Sequence, residues 1–327
     1  LTGWLRVQWA ITLGLIPLLL ALFQQVSLVS PVANAVAIPL VSLIVVPLTL
    51  LSTIPLFEFL LSLAHSTLSI VMWFLQWLSA LPQPVWQQHA PPFWVIPVAI
   101  IGVLWLLLPG SLGLGFFSGF PARWLGIVAM LPLFLLLPPK PPAGTLWLTV
   151  LDVGQGLAVV AQTHNHTLLF DSGPAFGETD SGERTILPFL RAKGIHKLDS
   201  MIISHADSDH SGGALSILNA MPVDEILYPI AQIYRNSQRK TNASSCVLKI
   251  TTAHGSVLIP ADIGHRAEQF LLDHAHGKLS STVLIAPHHG SLTSSGAEFV
   301  EQVNPVLTIF TVGYRNRFGH PREEVVN

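Results

Sequence analysis

Four side chains able to bind divalent metal crowd into six positions of this 327-residue chain. They are His205, Asp207, Asp209 and His210, inside the stretch SHADSDHSGG from Ser204 to Gly213. The apolar run Met201-Ile202-Ile203 precedes them and Gly212-Gly213 follows, so they sit where a buried strand turns out into a loop. Imidazole beside carboxylate suits Zn²⁺ or Mn²⁺, as one or two ions. A solvated loop could also scatter His and Asp, but not four ligand side chains in so short a burst; the pattern points to metal-dependent hydrolysis. Ligands need rigid supports, and two further strand ends repeat the theme. VLIPADIG ends with Asp262, and VLIAPHHGS with His288 and His289.

The supporting elements read from patterning. After the boundary LPPKPPAG, Leu137 to Gly144, short aliphatic runs end in Gly, Pro, Asp or Ser: TLWLTVLDVGQG, HTLLFDSG, KLDSMIIS, DEILYP, SCVLKIT, GSVLIPAD, STVLIAP and VLTIFTVG. These predict strands. RTILPFLRAKG, SGGALSILNAM, GHRAEQFLLDHAHG and SGAEFVEQV carry helical spacing between them. Residues 140–327 therefore predict a layered α/β domain. Of the 14 histidines, all but His65 and His89 fall in it.

Residues 1–139 have the opposite chemistry. Their only formal charges are Arg6, Glu58 and Arg123. Apolar runs near 7–23, 32–52, 56–79, 93–109 and 122–138 approach the roughly 20 residues that cross a bilayer, which predicts about five transmembrane helices. Pro17, Pro39, Pro47, Pro97 and Pro132 fall inside these runs, a feature of transporters and channels more than of simple anchors. With four spans between them, Arg6 and Arg123 share a side. If that side is cytoplasmic, everything after Lys140 lies on the outer face. Glu58 and His65 are ionisable groups in the third run, where such groups are costly.

Composition agrees. Hydrophobic residues make up 50% and charged residues 10%, with a mean hydropathy of +0.57. An ordinary soluble domain has about 25% charged residues, so much of the chain belongs in lipid. A net charge of −2 provides no global basic field for a polyanion, leaving any nucleic-acid contact to local groups. The lone Cys246 excludes an internal disulfide. A start at Leu1 and a stop at HPREEVVN predict a piece of a longer protein.

The soluble half resembles the metallo-β-lactamase fold, an αββα sandwich whose signature is His-x-His-x-Asp-His after a strand. More narrowly, LDVGQG, LLFDSG, SHADSDHSGG, APHHGS and GYRNRFGHP, in this order behind a polytopic membrane region, resemble the ComEC-type competence family. That family forms the inner-membrane channel for DNA uptake in bacterial transformation. The resemblance implies a bacterial inner-membrane location with the hydrolase domain on the periplasmic face, and DNA, membrane lipid and the uptake machinery as partners. It implies a nuclease or phosphodiesterase that degrades the strand not transported; oligomeric state is left open.

Residue by residue, it implies that His205 and Asp207 hold a first metal. Asp209 and His210 hold a second, joined by His288, and Asp262 bridges both ions. Two such ions, about 3.5–4 Å apart, activate water and stabilise phosphoryl charge. Asp171 in FDSG would orient the ligand loop from behind. His320 would protonate the leaving oxygen or contact phosphate, and with Asp209 and His210 it makes the implied catalytic set. His289, Arg315, Asn316 and Arg317 would support the ligands or the substrate.

Two departures stand out. Asp207 occupies the usual place of a second histidine, and no third first-site histidine precedes Asp262, since His254 lies in a hairpin turn. The first site is thus poor in imidazole, which leaves it weak, empty, or better suited to Mn²⁺ than Zn²⁺. GQGLA also carries Leu157 where the family has Asp. His164 and His166 read as a hairpin turn, and His196, His265, His274 and His276 as surface groups. Arg235 to Ser245 reads as a polar loop that could touch a nucleic-acid backbone. The alternatives are a membrane-tethered metallohydrolase of small esters or phosphodiesters, and a metal-poor docking domain.

Overall fold

Side chains in a strand point alternately to opposite faces, and in residues 157–160 this sends Leu157 and Val159 into one buried cluster and Ala158 and Val160 into another. The same period of two recurs in Val257/Ile259 against Leu258. Such double-sided burial is what a sheet covered on both faces requires. The computed structural model describes residues 2–107, 124–228, 242, 245–275 and 277–327. The chain forms two compact units, Leu1–Pro138 with Arg191–Gly194, and Pro139–Leu190 with Ile195–Asn327.

The first unit holds helices α1 (Thr2–Phe23), α2 (Ser30–Leu40), α3 (Val46–Leu51), α4 (Phe59–Ser79), α5 (Val95–Leu107) and α6 (Trp124–Leu135). A π-helical turn, Val41–Val45, joins α2 to α3 just after Pro39, whose missing N–H disturbs the helical ladder. Strands β1 (Gln25–Ser27) and β2 (Val85–Gln87) pair antiparallel. Gln88 Nε2 donates to Leu133 O at 2.5 Å, satisfying a carbonyl at the end of α6. Gly102 of α5 lets that helix close on α6, since a Cβ there would stand 2.7 Å from Gly126 O.

Among the described residues, two helical segments are long and apolar enough to cross a membrane: Ser30–Leu51, with mean hydropathy 2.2, and Phe59–Ser79, with 1.5. Val7–Phe23, Val95–Leu107 and Trp124–Leu135 are shorter apolar helices. Each of the five apolar runs thus contains a helix, while length within the described residues supports two spans. The arginine argument for orientation falls outside the described residues, which omit Arg123 and the Arg6 side chain, as they omit His276 and most of the 235–245 loop.

The second unit carries strands β3 (Trp147–Val150), β4 (Val159–Gln162), β5 (Thr167–Phe170), β6 (Ala175–Phe176), β7 (Thr179–Asp180), β8 (Leu198–Ile202), β9 (Val223–Leu227), β10 (Leu248–Thr252), β11 (Gly255–Ile259), β12 (Val283–Ile285) and β13 (Leu307–Ile309). Its helices are α7 (Leu187–Ala192), α8 (Ser208–Ser211), α9 (Ala214–Ala220), α10 (His265–His274), α11 (Ala297–Val303) and α12 (Glu323–Val326). One large sheet has the order β3-β4-β5-β8-β9 and the other β10-β11-β12-β13, while β6 and β7 pair as a separate two-stranded ribbon.

Each sheet is antiparallel at its start and parallel at its end. β5, β8 and β9 run parallel, as do β11, β12 and β13. Leu157, Val159, Phe170 and Ile202 of one sheet meet Val257, Ile259 and Ile285 of the other in a shared core. Behind the first sheet lie Ile186, Leu187, Leu190 and Ile217 from the α7 and α9 regions. Behind the second lie Leu272 of α10 with Phe299 and Val303 of α11. The layering is helix, sheet, sheet, helix. The parallel strands β5, β8, β11, β12 and β13 all deliver their C-terminal ends to one site, where open α/β sheets bind ligands.

Candidate metal centre

Each of those strand ends contributes a polar group. Asp171 directly follows β5; Ser204 to His210 follow β8; Asp262 follows β11; His288 and His289 follow β12; Thr311 follows β13. Asp171, Ser204, His205 and His210 are wholly buried. Asp171, Ala261, His288 and His289 all have positive φ, between 49° and 58°. Such backbone costs about 1–3 kcal/mol per residue and clusters at functional sites. Here it lets the chain leave a strand and turn a side chain inward within one or two residues.

Proton accounting shows what the histidines can do. Asp171 Oδ1 accepts from the Ser204 N–H at 2.6 Å, and Oδ2 from the Ser204 hydroxyl at 2.7 Å. That hydroxyl has spent its only proton, so its 2.9 Å contact with His205 Nδ1 requires an Nδ1–H donor on the ring. His210 Nδ1 likewise donates to Asp171 Oδ2 at 2.7 Å. Both rings therefore keep Nε2 as the free position. The Nε2 atoms of His205, His210 and His289 are buried without a hydrogen-bond partner.

They converge on carboxylates. His210 Nε2 lies 3.1 Å from Asp262 Oδ1, outside hydrogen-bonding geometry. His289 Nε2 lies 3.6 Å from the same oxygen and 3.5 Å from Asp209 Oδ2. Asp209, His210, Asp262 and His289 offer ligand atoms all within 4.8 Å of one another. The other oxygen of Asp262 faces a second group: Oδ2 is 4.0 Å from His205 Nε2 and 3.7 Å from His288 Nε2. Asp207 Oδ2 stands 3.5 Å from His205 Nε2 on a side chain 39% exposed.

A buried, unpaired polar atom costs about 1–3 kcal/mol, so three such nitrogens facing carboxylates call for a cation. The charge balance agrees. Burial disfavours a charged His210, yet the carboxylates of Asp262 and Asp171 outweigh it and raise the ring well above the usual imidazole range. Burial also works against ionised Asp262, but His210, His289 and His288 hold it well below the usual carboxylate range. For Asp209 the opposition of burial is likewise overcome by His289 and His210, leaving it lowered. Burial and the neighbouring His210 lower His205. Positive charge is favoured between these oxygens, and the residues fit a divalent metal.

Three placements differ from expectation. The family resemblance implies His288 as a ligand and His289 in support. In the structure His289 Nε2 lies within the four-residue group and its Nδ1 is 3.1 Å from Thr311 Oγ1. His288 Nε2 instead contacts the Asn242 amide at 3.3 Å, on a partly exposed ring at the rim. Two successive left-handed residues turn the adjacent rings apart, with centroids 6.3 Å apart and planes at 59°.

Asn316, expected beside substrate, spends its amide on its own loop. Nδ2 donates to Gly313 O and His320 O, while Oδ1 accepts from the N–H groups of Phe318 and His320. His320 places its ring 6.3 Å from that of His288 with Nδ1 buried and unpartnered. Burial and the nearby His289, His288 and Arg322 lower its pKa, so the ring is neutral at pH 7 and suited to hydrogen bonding more than to donating a proton as imidazolium. Arg315 and Arg317 stand on exposed rings of the same loop.

Ser204 and Thr311 escaped the sequence reading. Ser204 had a usable signal, being the one polar residue between the apolar strand and the first ligand. Thr311 had none, because its partner lies 22 residues away. Of the surface histidines, His166 lies in the β4–β5 turn and pairs with Asp199 at 3.5 Å, and His265 pairs with buried Glu268 at 3.1 Å.

Residues 1–112 match the family profile described as Competence protein, and residues 151–236 that of the Metallo-beta-lactamase superfamily. The chain is 32% identical to Competence protein ComA of Neisseria gonorrhoeae, over 98% of this chain and 48% of that protein. It is 30% identical to Uncharacterized protein YcaI of Escherichia coli, over 98% of this chain and 45% of that one. Recombination protein 2 of Haemophilus influenzae is 32% identical over 54% of this chain and 25% of its own length. The chain spans about half the length of the first two relatives. The chain is thus similar to the ComA-type competence proteins, its first part matching the competence-protein profile and its second the metallo-beta-lactamase profile.

Proposed function

We propose that this chain serves DNA uptake across the bacterial inner membrane, joining a polytopic helical region (residues 1–139, about five spans) to a metal-dependent phosphodiesterase (residues 140–327). The observation that carries the catalytic half is the convergence of three orphaned imidazole nitrogens on Asp262 and Asp209. Asp209, His210, Asp262 and His289 hold one cation. His205 and Asp207, with the second oxygen of Asp262, frame another position, and His288 stands at its rim. With few imidazoles there, that position suits Mn²⁺ better than Zn²⁺. A divalent cation supplies Lewis acidity toward a phosphoryl oxygen and makes water acidic enough to attack at neutral pH.

The protein groups do the rest. Asp171 and Ser204 hold His205 and His210 in the tautomers that leave Nε2 free. The neutral His320 hydrogen-bonds the phosphate, and Arg315 and Arg317 neutralise flanking phosphates. The exposed apolar faces of α2 to α4, such as Leu43 and Trp73, are what lipid would cover. The domain lies on the periplasmic face, where it degrades the strand that does not cross.

The test is cleavage of DNA by the full chain in detergent with Mn²⁺ or Zn²⁺ added after chelation. Metal-dependent cleavage that Asp209→Ala reduces at least 100-fold is expected. Equal cleavage by the variant rules the proposed centre out.

A further inference from the structure

We infer that Tyr314 and Phe318 form a stacking platform for unpaired bases, which makes single-stranded nucleic acid the substrate class of the hydrolytic centre proposed above. The loop after β13 reads Tyr314-Arg315-Asn316-Arg317-Phe318, aromatic and basic residues interleaved. Tyr314 is 90% exposed and Phe318 46% exposed. Exposing two aromatic rings beside a polar site has no folding benefit, since neither joins a buried apolar cluster. Each ring carries its own cation: Arg315 Cζ lies 5.2 Å from the Tyr314 ring centre, and Arg317 Cζ 4.8 Å from that of Phe318. No carboxylate forms a salt bridge with either arginine among the described residues, leaving both guanidinium groups for phosphates.

The loop is held in shape. The Asn316 amide closes it through four hydrogen bonds, and Gly313 N donates to Gln155 Oε1 at 3.3 Å. Phe318 stacks on His320 at 5.9 Å and 15°, and His320 stands 6.3 Å from His288 at the rim of the metal centre. The platform is thus pre-organised one ring away from the chemistry, and ordering it on binding costs little entropy. Stacking on an aromatic ring needs an open base face, which every unpaired base has and a duplex hides. The alternation of rings and arginines matches the alternation of bases and phosphates along one strand.

The experiment measures binding of a fluorescent single-stranded oligonucleotide to the metal-chelated full chain in detergent, so that it does not depend on hydrolysis. An abasic oligomer of equal length and a duplex serve as comparisons. The wild type is expected to prefer the single strand over the abasic oligomer by roughly tenfold, the usual scale of one stacked base. Tyr314→Ala should erase most of that preference and Tyr314→Trp should keep it; the side chain is solvent-exposed, so neither change threatens the fold. Equal binding of abasic and normal strands by the wild type, an unchanged preference in Tyr314→Ala, or tighter binding of the duplex would overturn the platform. A wild type that shows the preference but cleaves nothing with added metal would leave the platform standing and defeat the hydrolase reading alone.

Discussion

Ser204 Oγ stands 2.7 Å from Asp171 Oδ2 and, having given its proton there, must accept from His205 Nδ1. One carboxylate thereby orients two imidazoles, His210 directly and His205 through a hydroxyl. Partners behind ligands typically contribute 10–100-fold to metal affinity. Asp171→Asn should weaken Mn²⁺ binding by about that factor, and Ser204→Ala by less, because only His205 loses its anchor. Competition with a chelating dye checks both. Equal affinities in all three proteins would show that the tautomers do not depend on Asp171.

The adjacent histidines give a second prediction. His289→Ala removes an orphaned Nε2 from the Asp209/Asp262 group and should lower metal affinity at least tenfold. His288→Ala removes a ring already engaged by Asn242 and should lower it less. Isothermal titration with Zn²⁺ ranks them, and the reverse order would return the ligand role to His288.

Much of this was legible in the sequence and some was not. Aliphatic runs ending at Gly, Pro, Asp or Ser marked β5, β8, β11, β12 and β13, since strands of a sheet covered on both faces are rich in aliphatic residues. β4 was overlooked because LAVVAQ continues the LDVGQG motif without a turn residue between them, and the paired residues of β6 and β7 are too short to show a period. Which of two neighbouring histidines turns toward Asp209 and Asp262 depends on the hand of the backbone at His288 and His289, which spacing does not encode. The role of Asn316 is equally invisible, because an asparagine between two arginines in a polar loop looks like a ligand until the loop closes around it.

The glycine pair after the ligand burst has a packing reason. A Cβ on Gly213 would lie 2.5 Å from both Gly182 N and Ser172 O, backbone atoms that cannot swing away. Gly213→Ala should destabilise the protein by about 1–3 kcal/mol, the usual scale for overpacking. It should also disturb the nearby Ser172 N–H bond to His210 O. Thermal unfolding together with metal affinity measures both effects, and a variant unchanged in each would refute the close-approach argument.

Acid should weaken the fold through Asp199. The Thr167 N–H donates to this carboxylate at 2.7 Å and lowers its pKa, burial opposing and His166 assisting. A folded value below the ordinary 3.8 means the contribution is fully present above that pH and is lost as pH falls through the folded value. The bond is worth about 1 kcal/mol. Asp199→Asn should therefore lower the unfolding midpoint by a few degrees at neutral pH and much less in strong acid. A difference constant over that range would contradict the linkage.

The central claim is that three strand ends hold a divalent cation between Asp209, His210, Asp262 and His289. Metal content of the purified full chain by inductively coupled plasma mass spectrometry, after exposure to Mn²⁺ or Zn²⁺ and exhaustive dialysis, tests it most directly. At least one ion per chain in the wild type and a near-complete loss in Asp262→Ala is the predicted result. A wild type that keeps no metal, or an Asp262→Ala variant that keeps as much, would contradict it.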